Sequence, residues 1–223
     1  MKTNLVVLPS RSRPEKVQVA AKALLEHSRI SDIIIAIDDD QSELYPPIEG
    51  VRFEVNERLR MNGTLNRVVL RYADQYETIY FLGDDHLVRT PGWDELLFSS
   101  IKARGYGLAY GDDKLQGKNL PTAVMMSSNI IRALGFMAPP ELIHLYMDNF
   151  WLALGERLDC IDYVPEAIIE HMHFSANKSE KDIHYAEVNS SEMYSKDQAS
   201  FKKYLTERLD ADIALLESEL GIR

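Results

Sequence analysis

Three short apolar runs, each ending in charged residues, constrain this chain most. Asn4 to Leu8 reads NLVVL and runs into Pro9-Ser10-Arg11-Ser12-Arg13-Pro14. Asp32 to Ile37 carries IIIAI and runs into Asp38-Asp39-Asp40, and Thr78 to Leu82, TIYFL, runs into Gly83-Asp84-Asp85-His86. Runs of this length without alternation are those of strands buried on both faces. Helical spacing separates them: Val17, Ala20, Ala21, Leu24 and Leu25 after Pro14, then Leu65, Val68, Val69 and Tyr72. A proline suits the first position of a helix, where its missing N–H costs nothing. Strand–helix–strand alternation predicts an α/β domain with a mainly parallel sheet. Ligands of such sheets bind beyond the carboxyl ends of the strands, which is where Arg11, Arg13, Asp38 to Asp40 and Asp84 to His86 collect.

The remainder is read more coarsely. A helix is predicted from Pro91-Gly92-Trp93 to about Ile101, and strands at Val51 to Val55, Gly107 to Tyr110 and Thr122 to Met126. A short helix capped by Ser127 or Ser128 ends near Gly135, and Met147 to Gly155 is helical. Ile161 to Val164 and Ala167 to Ile169 read as two strands leading to Glu170-His171-Met172-His173. The polar stretch 174–196 is predicted to be a loop. From Asp197 on, Phe201, Tyr204, Leu205, Leu209, Ile213, Leu216 and Leu220 form one stripe of a final amphipathic helix. The expected organisation is one domain over 1–196 and a helical tail over 197–223.

Composition bounds the partners. The 223 residues carry a formal charge of -10, so bulk electrostatics do not draw this chain to nucleic acid. The single cysteine, Cys160, excludes an intrachain disulfide, and no apolar run approaches the ~20 residues of a membrane span. A cytoplasmic location is expected, with the N-terminus read as a strand because its apolar stretch is too short for a signal peptide. There is no G-x-G-x-x-G, no P-loop and no G-x-S-x-G elbow.

The strongest constellation is Phe81 to Leu97, FLGDDHLVRTPGWDELL. Adjacent carboxylates at a strand end repel unless a cation or hydrogen bonds neutralise them. Carboxylates suit Mg²⁺ or Mn²⁺, and imidazole also suits Mn²⁺. His171 and His173 alternate in a strand-like segment and so share a face; either is a candidate metal ligand.

Here the sequence resembles the nucleotide-sugar glycosyltransferases of the GT-A fold, near the inverting family two. Phe81 to His86 is similar to that family's DXD-bearing strand, with Gly83 in place of the first Asp. Val6 to Pro14 resembles its opening strand and nucleotide-wrapping loop, and Ile37-Asp38-Asp39-Asp40-Gln41 its base-contacting strand end without the Gly-Ser. Asn62 to Arg67 loosely resembles its Gly-x-x-x-Ala-Arg-Asn stretch, and Met147-Asp148-Asn149 its acidic motif, with Met147 replacing Glu. The resemblance spans residues 4–175. It implies a GT-A-like single domain and a metal-dependent inverting transfer of sugar from a nucleotide-sugar, with UDP as the expected nucleotide, to a hydroxyl. It further implies Asp148 as catalytic base and Asp85 with His171 or His173 on Mn²⁺ or Mg²⁺. Pro9, Ser10, Arg11, Arg13, Asp38, Asp39, Asn66, Arg67, Asp84 and Lys178 are implied to hold the donor. The acceptor stays open among a saccharide, a lipid-linked sugar, a protein and a hydroxymethylated DNA base. The alternatives are a sugar-nucleotide pyrophosphorylase, which the glycine-free loop LPSRSRP argues against, a metal hydrolase using Asp85, His171 and His173, and a binding protein with a decayed site.

Overall fold

The computed structural model describes residues 1–172 and 190–222. The first half comprises β1 (Lys2–Ser10), α1 (Pro14–His27), β2 (Ser31–Asp38), β3 (Arg52–Asn56), α2 (Arg60–Tyr72) and β4 (Tyr76–Phe81). Then come β5 (His86–Val88), α3 (Trp93–Lys102), β6 (Leu108–Asp112), β7 (Val124–Ser127), α4 (Ser128–Leu134), α5 (Met147–Arg157) and β8 (Ile161–His171). Two helices, α6 (Ser191–Glu207) and α7 (Leu209–Leu220), complete the described chain.

The eight strands form one sheet in the order β3-β2-β1-β4-β7-β6-β8-β5. Strands β1, β2, β3 and β4 are mutually parallel, β7 is antiparallel to both β4 and β6, β8 is parallel to β6, and β5 is antiparallel to β8. The expected α/β domain is therefore observed, with β7 reversed inside an otherwise parallel sheet and β5 reversed at its edge.

Period-two alternation sorts side chains to two cores. Leu5 and Val7 of β1, Ile34 and Ala36 of β2, and Ile79 and Phe81 of β4 face α2, α4, α5 and the terminal helices. Val6 and Leu8, Ile33, Ile35 and Ile37, and Tyr80 and Leu82 face α1 and α3. A sheet covered on both faces needs the continuous apolar runs seen in the sequence.

The second half departs from expectation in three places. The two strands foreseen around Pro165 are one, β8, whose pairing with β6 shifts register between Gly111 and Asp112. The bulge tolerates Pro165, which lacks a ladder donor. It also requires Gly111, because a Cβ there would lie 2.0 Å from the carbonyl oxygen of Ala167. The final helix is two, broken at Arg208, and it begins before Asp197, so residues 191–196 are helical rather than loop. Strand β5 was not foreseen. Tyr204, Leu209, Ile213 and Leu216 of the terminal helices are buried in the same core as Leu65 and Trp151.

Candidate active site

The carboxyl ends of β1, β2 and β4 meet the start of α5 and the end of β8 around one cavity of about 270 Å³. At the end of β2, Asp38 accepts a hydrogen bond from Arg11 Nη1 at 2.5 Å. The same guanidinium grips Asp40 with two bonds, at 2.7 and 2.8 Å. Those carboxylates raise the pKa of Arg11 and keep it charged; the hydrogen bond to Asp40 contributes most. Asp39 points out of the cavity and accepts the backbone N–H of Asp40 at 2.8 Å.

At the end of β4 the two acids separate by function of their neighbours. Asp84 is buried and accepts from Ser10 Oγ at 2.7 Å and from Arg13 Nη1 at 3.0 Å. Burial pushes its pKa up to about 6, with Arg13 opposing. Asp85 turns the other way, towards two imidazoles. Its Oδ1 lies 3.2 Å from His86 Nδ1 and its Oδ2 lies 3.4 Å from His171 Nε2. Burial pushes Asp85 up, but the imidazoles of His171 and then His86 beside it outweigh burial and hold the carboxyl well below its usual range. Burial, with His86 alongside, lowers His171.

His86 and His171 are direct cross-strand partners in the β5–β8 ladder, so their rings project from one face. The donor atoms of Asp85, His86 and His171 all lie within 4.8 Å of one another. Two imidazole nitrogens and a carboxylate oxygen at this spacing fit a divalent transition-metal ion. The sequence reading did not single out His86 as a candidate ligand, although it adjoins Asp85. Only the pairing of a three-residue strand with β8 brings it onto His171.

Gly83 sits tight against the acidic and imidazole groups that follow it. A Cβ at Gly83 would lie 3.0 Å from both Asp85 Oδ1 and His86 Nδ1, so a side chain there would crowd the pair.

Across the cavity, Asp148 occupies the first turn of α5. Its Oδ1 accepts the backbone N–H of Asn149 at 2.8 Å, and burial raises its pKa. Helix α5 follows Tyr146, whose φ of 65° is left-handed; Arg60 at the start of α2 also has φ 65°, and Ser12 has φ 60°. Such conformations cost roughly 1–2 kcal/mol each in non-glycine residues and concentrate at functional sites. Arg60 and Tyr146 line the cavity, and Ser12 stands between Arg11 and Arg13, which do.

The cavity thus gathers Pro9, Ser10, Arg11 and Arg13 with Asp38 and Asp84, and adds Asp85, His171 and Asp148. It does not gather Asn66 or Arg67. The Asn66 side chain accepts the backbone N–H of Met137 at 2.9 Å and donates to the Ala138 carbonyl at 2.8 Å, fixing that loop against α2. Arg67 pairs with Glu57 at 2.7 Å on the exposed side of the helix. His173 and Lys178 lie outside the described residues, as does most of the expected loop. Arg58, Arg60 and His144, which also line the cavity, were not singled out from sequence.

No protein-family model and no curated protein matches the sequence. Solved structures do match in shape. Glucosyl-3-phosphoglycerate synthase of Mycobacterium tuberculosis, in complex with Mn²⁺, UDP-glucose and phosphoglyceric acid, aligns at a TM-score of 0.60 with 16% identity, over 100% of this chain and 81% of its own. The mannosyltransferase PcManGT of Pyrobaculum calidifontis, with GDP-Man and Mn²⁺, aligns at 0.55 with 11% identity, over 98% and 74%. TarS 1-349 of S. aureus with UDP aligns at 0.59 with 12% identity, over 92% and 72%. The chain spans only 44% of a longer TarS chain. At these identities the likeness is one of fold, and the fold is GT-A. No helix among the described residues is long and apolar enough to cross a membrane.

Proposed function

We propose that this chain is a metal-dependent, inverting glycosyltransferase that moves a sugar from a nucleotide-sugar, with UDP as the nucleotide, to a hydroxyl acceptor. The observation that carries the reading is the single cavity at the strand ends. It sets a paired Asp38, a Ser10- and Arg13-bound Asp84, an Asp85–His86–His171 cluster and the carboxylate of Asp148 around one space. The nucleotide-sugars and Mn²⁺ held by the structural neighbours agree with it.

Asp38, fixed by Arg11, is an acceptor for the N3–H of a uracil ring. Ser10 and Arg13 hold Asp84 beside the β1 loop, where it can accept from a ribose hydroxyl. Asp85, His171 and, outside the described residues, His173 are the candidate metal ligands. A divalent cation bound there neutralises charge on a diphosphate leaving group as the glycosidic bond breaks. An inverting displacement needs one base for the acceptor hydroxyl and no enzyme nucleophile. The other cavity acids are engaged by arginines or imidazoles, whereas Asp148 makes no ion pair with a described residue and bonds only within its own helical turn. Asp148 therefore takes the hydroxyl proton. The domain expected over 1–196 forms the catalytic unit; the boundary to the expected tail falls inside α6, and the terminal helices share the domain's core.

The test is a thermal-shift panel of UDP-, GDP-, CMP- and dTDP-sugars with and without Mn²⁺. Ligand at 100 times its Kd adds about 2.7 kcal/mol, a rise of roughly 5–10 °C for a chain of this size. A Mn²⁺-dependent rise with a UDP-sugar is expected. No rise with any nucleotide-sugar would overturn the reading. The anomeric configuration of the transfer product, read by NMR, decides inversion.

A further inference from the structure

We infer that His86 is a third protein ligand of the metal, and that the site therefore selects a transition-metal ion such as Mn²⁺ over Mg²⁺. The inference rests on the proposed metal-dependent reading of this cavity and adds a ligand and a selectivity to it.

The direction of the hydrogen bonds fixes the His86 tautomer. Asp113 Oδ1 accepts the backbone N–H groups of Leu115, Gln116 and Gly117 at 2.9, 2.7 and 2.8 Å. Its Oδ2 accepts the Thr122 hydroxyl at 2.8 Å. Thr122 has thus spent its proton, so towards His86 Nε2, 3.3 Å away, its Oγ1 is the acceptor. In the neutral ring, the form that can ligate a metal, the proton then sits on Nε2 and the lone pair on Nδ1.

That lone pair faces a carboxylate. His86 is only 3% exposed, its Nδ1 has no hydrogen-bond partner, and Asp85 Oδ1 stands 3.2 Å from it. Two electron-rich atoms in a buried site repel unless a cation lies between or beside them. His171 supplies the third donor from the neighbouring strand. Its ring stacks on that of His86 at a centroid distance of 3.9 Å and 20° between planes, with Nε2 3.4 Å from the other oxygen of Asp85.

Behind the cluster, His86 has the outer hydrogen-bonding partner that ligating histidines use. The Nδ1 of His171 lies 4.0 Å from the same Asp113 Oδ2 that holds Thr122. The Asp113 carboxylate therefore orients the His86 ring through Thr122, while towards His171 it stands beyond hydrogen-bond distance and the Asp113 backbone carbonyl accepts the His171 backbone N–H at 2.9 Å. Outer carboxylates of this kind fix ring orientation and raise ligand basicity. Asp113 is a positioning residue in this scheme. A donor set of two imidazoles and one carboxylate favours Mn²⁺ and its neighbours, whereas Mg²⁺ prefers oxygen and water.

The experiment uses the full chain with UDP and Mn²⁺. Pulsed electron paramagnetic resonance of bound Mn²⁺ is expected to show at least two coupled nitrogens in the parent protein and one fewer in His86→Asn. Calorimetric titration is expected to show Mn²⁺ bound at least about tenfold more weakly by His86→Asn, with a smaller loss in Thr122→Val. The ratio of Mn²⁺ to Mg²⁺ affinity should fall in His86→Asn. If that variant does not fold, His173→Asn decides, because it removes the other candidate imidazole: two coupled nitrogens there support His86, and one overturns it. One coupled nitrogen in the parent, or equal Mn²⁺ affinity in His86→Asn, would overturn the role of His86 and leave the proposed function standing. A parent that binds UDP but no Mn²⁺ would overturn both this inference and the metal dependence. A parent that binds neither would overturn the proposed function as well.

Discussion

The carboxylate of Asp197, in the middle of α6, accepts the backbone N–H of His144 at 2.9 Å from a position 53 residues away in sequence. The neighbouring N–H groups of Ile143 and Leu145 bond to the same side chain at 3.0 and 2.8 Å. Asp197 is fully buried, and residues 143–145 line the cavity beside Asp148. A terminal helix thereby shapes the cavity wall.

Asp197→Ala is expected to destabilise the protein by about 3 kcal/mol, because three buried N–H donors lose their acceptor. The melting temperature should fall by on the order of 10 °C for a chain of this size. Denaturant unfolding measures the loss directly. A change below about 1 kcal/mol would mean that water or another group replaces the carboxylate.

The pKa of Asp84 gives a pH signature. Its folded-state value, about 6, lies above the ordinary carboxyl value, chiefly because of burial. The folded state therefore binds the proton more tightly than the unfolded chain. The stability this group contributes is fully present below pH 4 and is lost as pH rises through 6. Asparagine mimics the protonated acid and does not titrate. Between pH 4 and pH 7 the stability of Asp84→Asn relative to the parent should rise by about 2 kcal/mol. Paired urea unfolding curves across that range provide the check, and a constant difference between the two proteins would contradict the shift.

What the sequence made legible follows from which forces are local. Apolar runs and their charged ends are local, so β1, β2 and β4 were readable and with them Ser10, Arg11, Asp38, Asp84 and Asp85. Asp148 was readable as an acid opening a helix. His86 was not readable as a partner of His171, because that contact depends on a three-residue strand finding its register on β8 across 85 positions. Asn66 was read as a donor-binding residue, yet helical geometry aims its amide at the 137–138 backbone, where an unpaired carbonyl and N–H needed it. The break at Arg208 left no trace in the apolar stripe, since the residues on both sides keep helical spacing.

Asp38 is predicted to read the base. Replacing it by Asn retains the shape but removes the charged acceptor. UDP affinity in the presence of Mn²⁺ should fall by roughly 10–100-fold, the worth of one hydrogen bond to a charged group. GDP affinity, which does not depend on a uracil N3–H, should change less, so discrimination between the two falls. Calorimetric titration with both nucleotides measures this, and equal losses for UDP and GDP would assign Asp38 to structure through Arg11 instead.

Asp148 is predicted to be the base, and two measurements separate that role from helix capping. Its carboxylate accepts the Asn149 N–H at 2.8 Å, a bond that the side-chain carbonyl of asparagine can also accept. Asp148→Asn should therefore keep its melting temperature and donor affinity near those of the parent. Turnover should drop by about 10²–10⁴-fold, the usual contribution of a positioned base. The pH profile adds a second test. A base must be ionised to accept a proton, and burial raises the pKa of Asp148. In the parent, kcat at saturating donor and metal should therefore fall on the acid side starting above the ordinary carboxyl range, by a factor of about ten per pH unit. In Asp148→Asn that limb should disappear from the residual rate. Turnover within a few-fold of the parent, or an unchanged acid limb in the variant, would move the proton to another group, with Glu141, Glu170 and Asp112 as the next carboxylates to substitute.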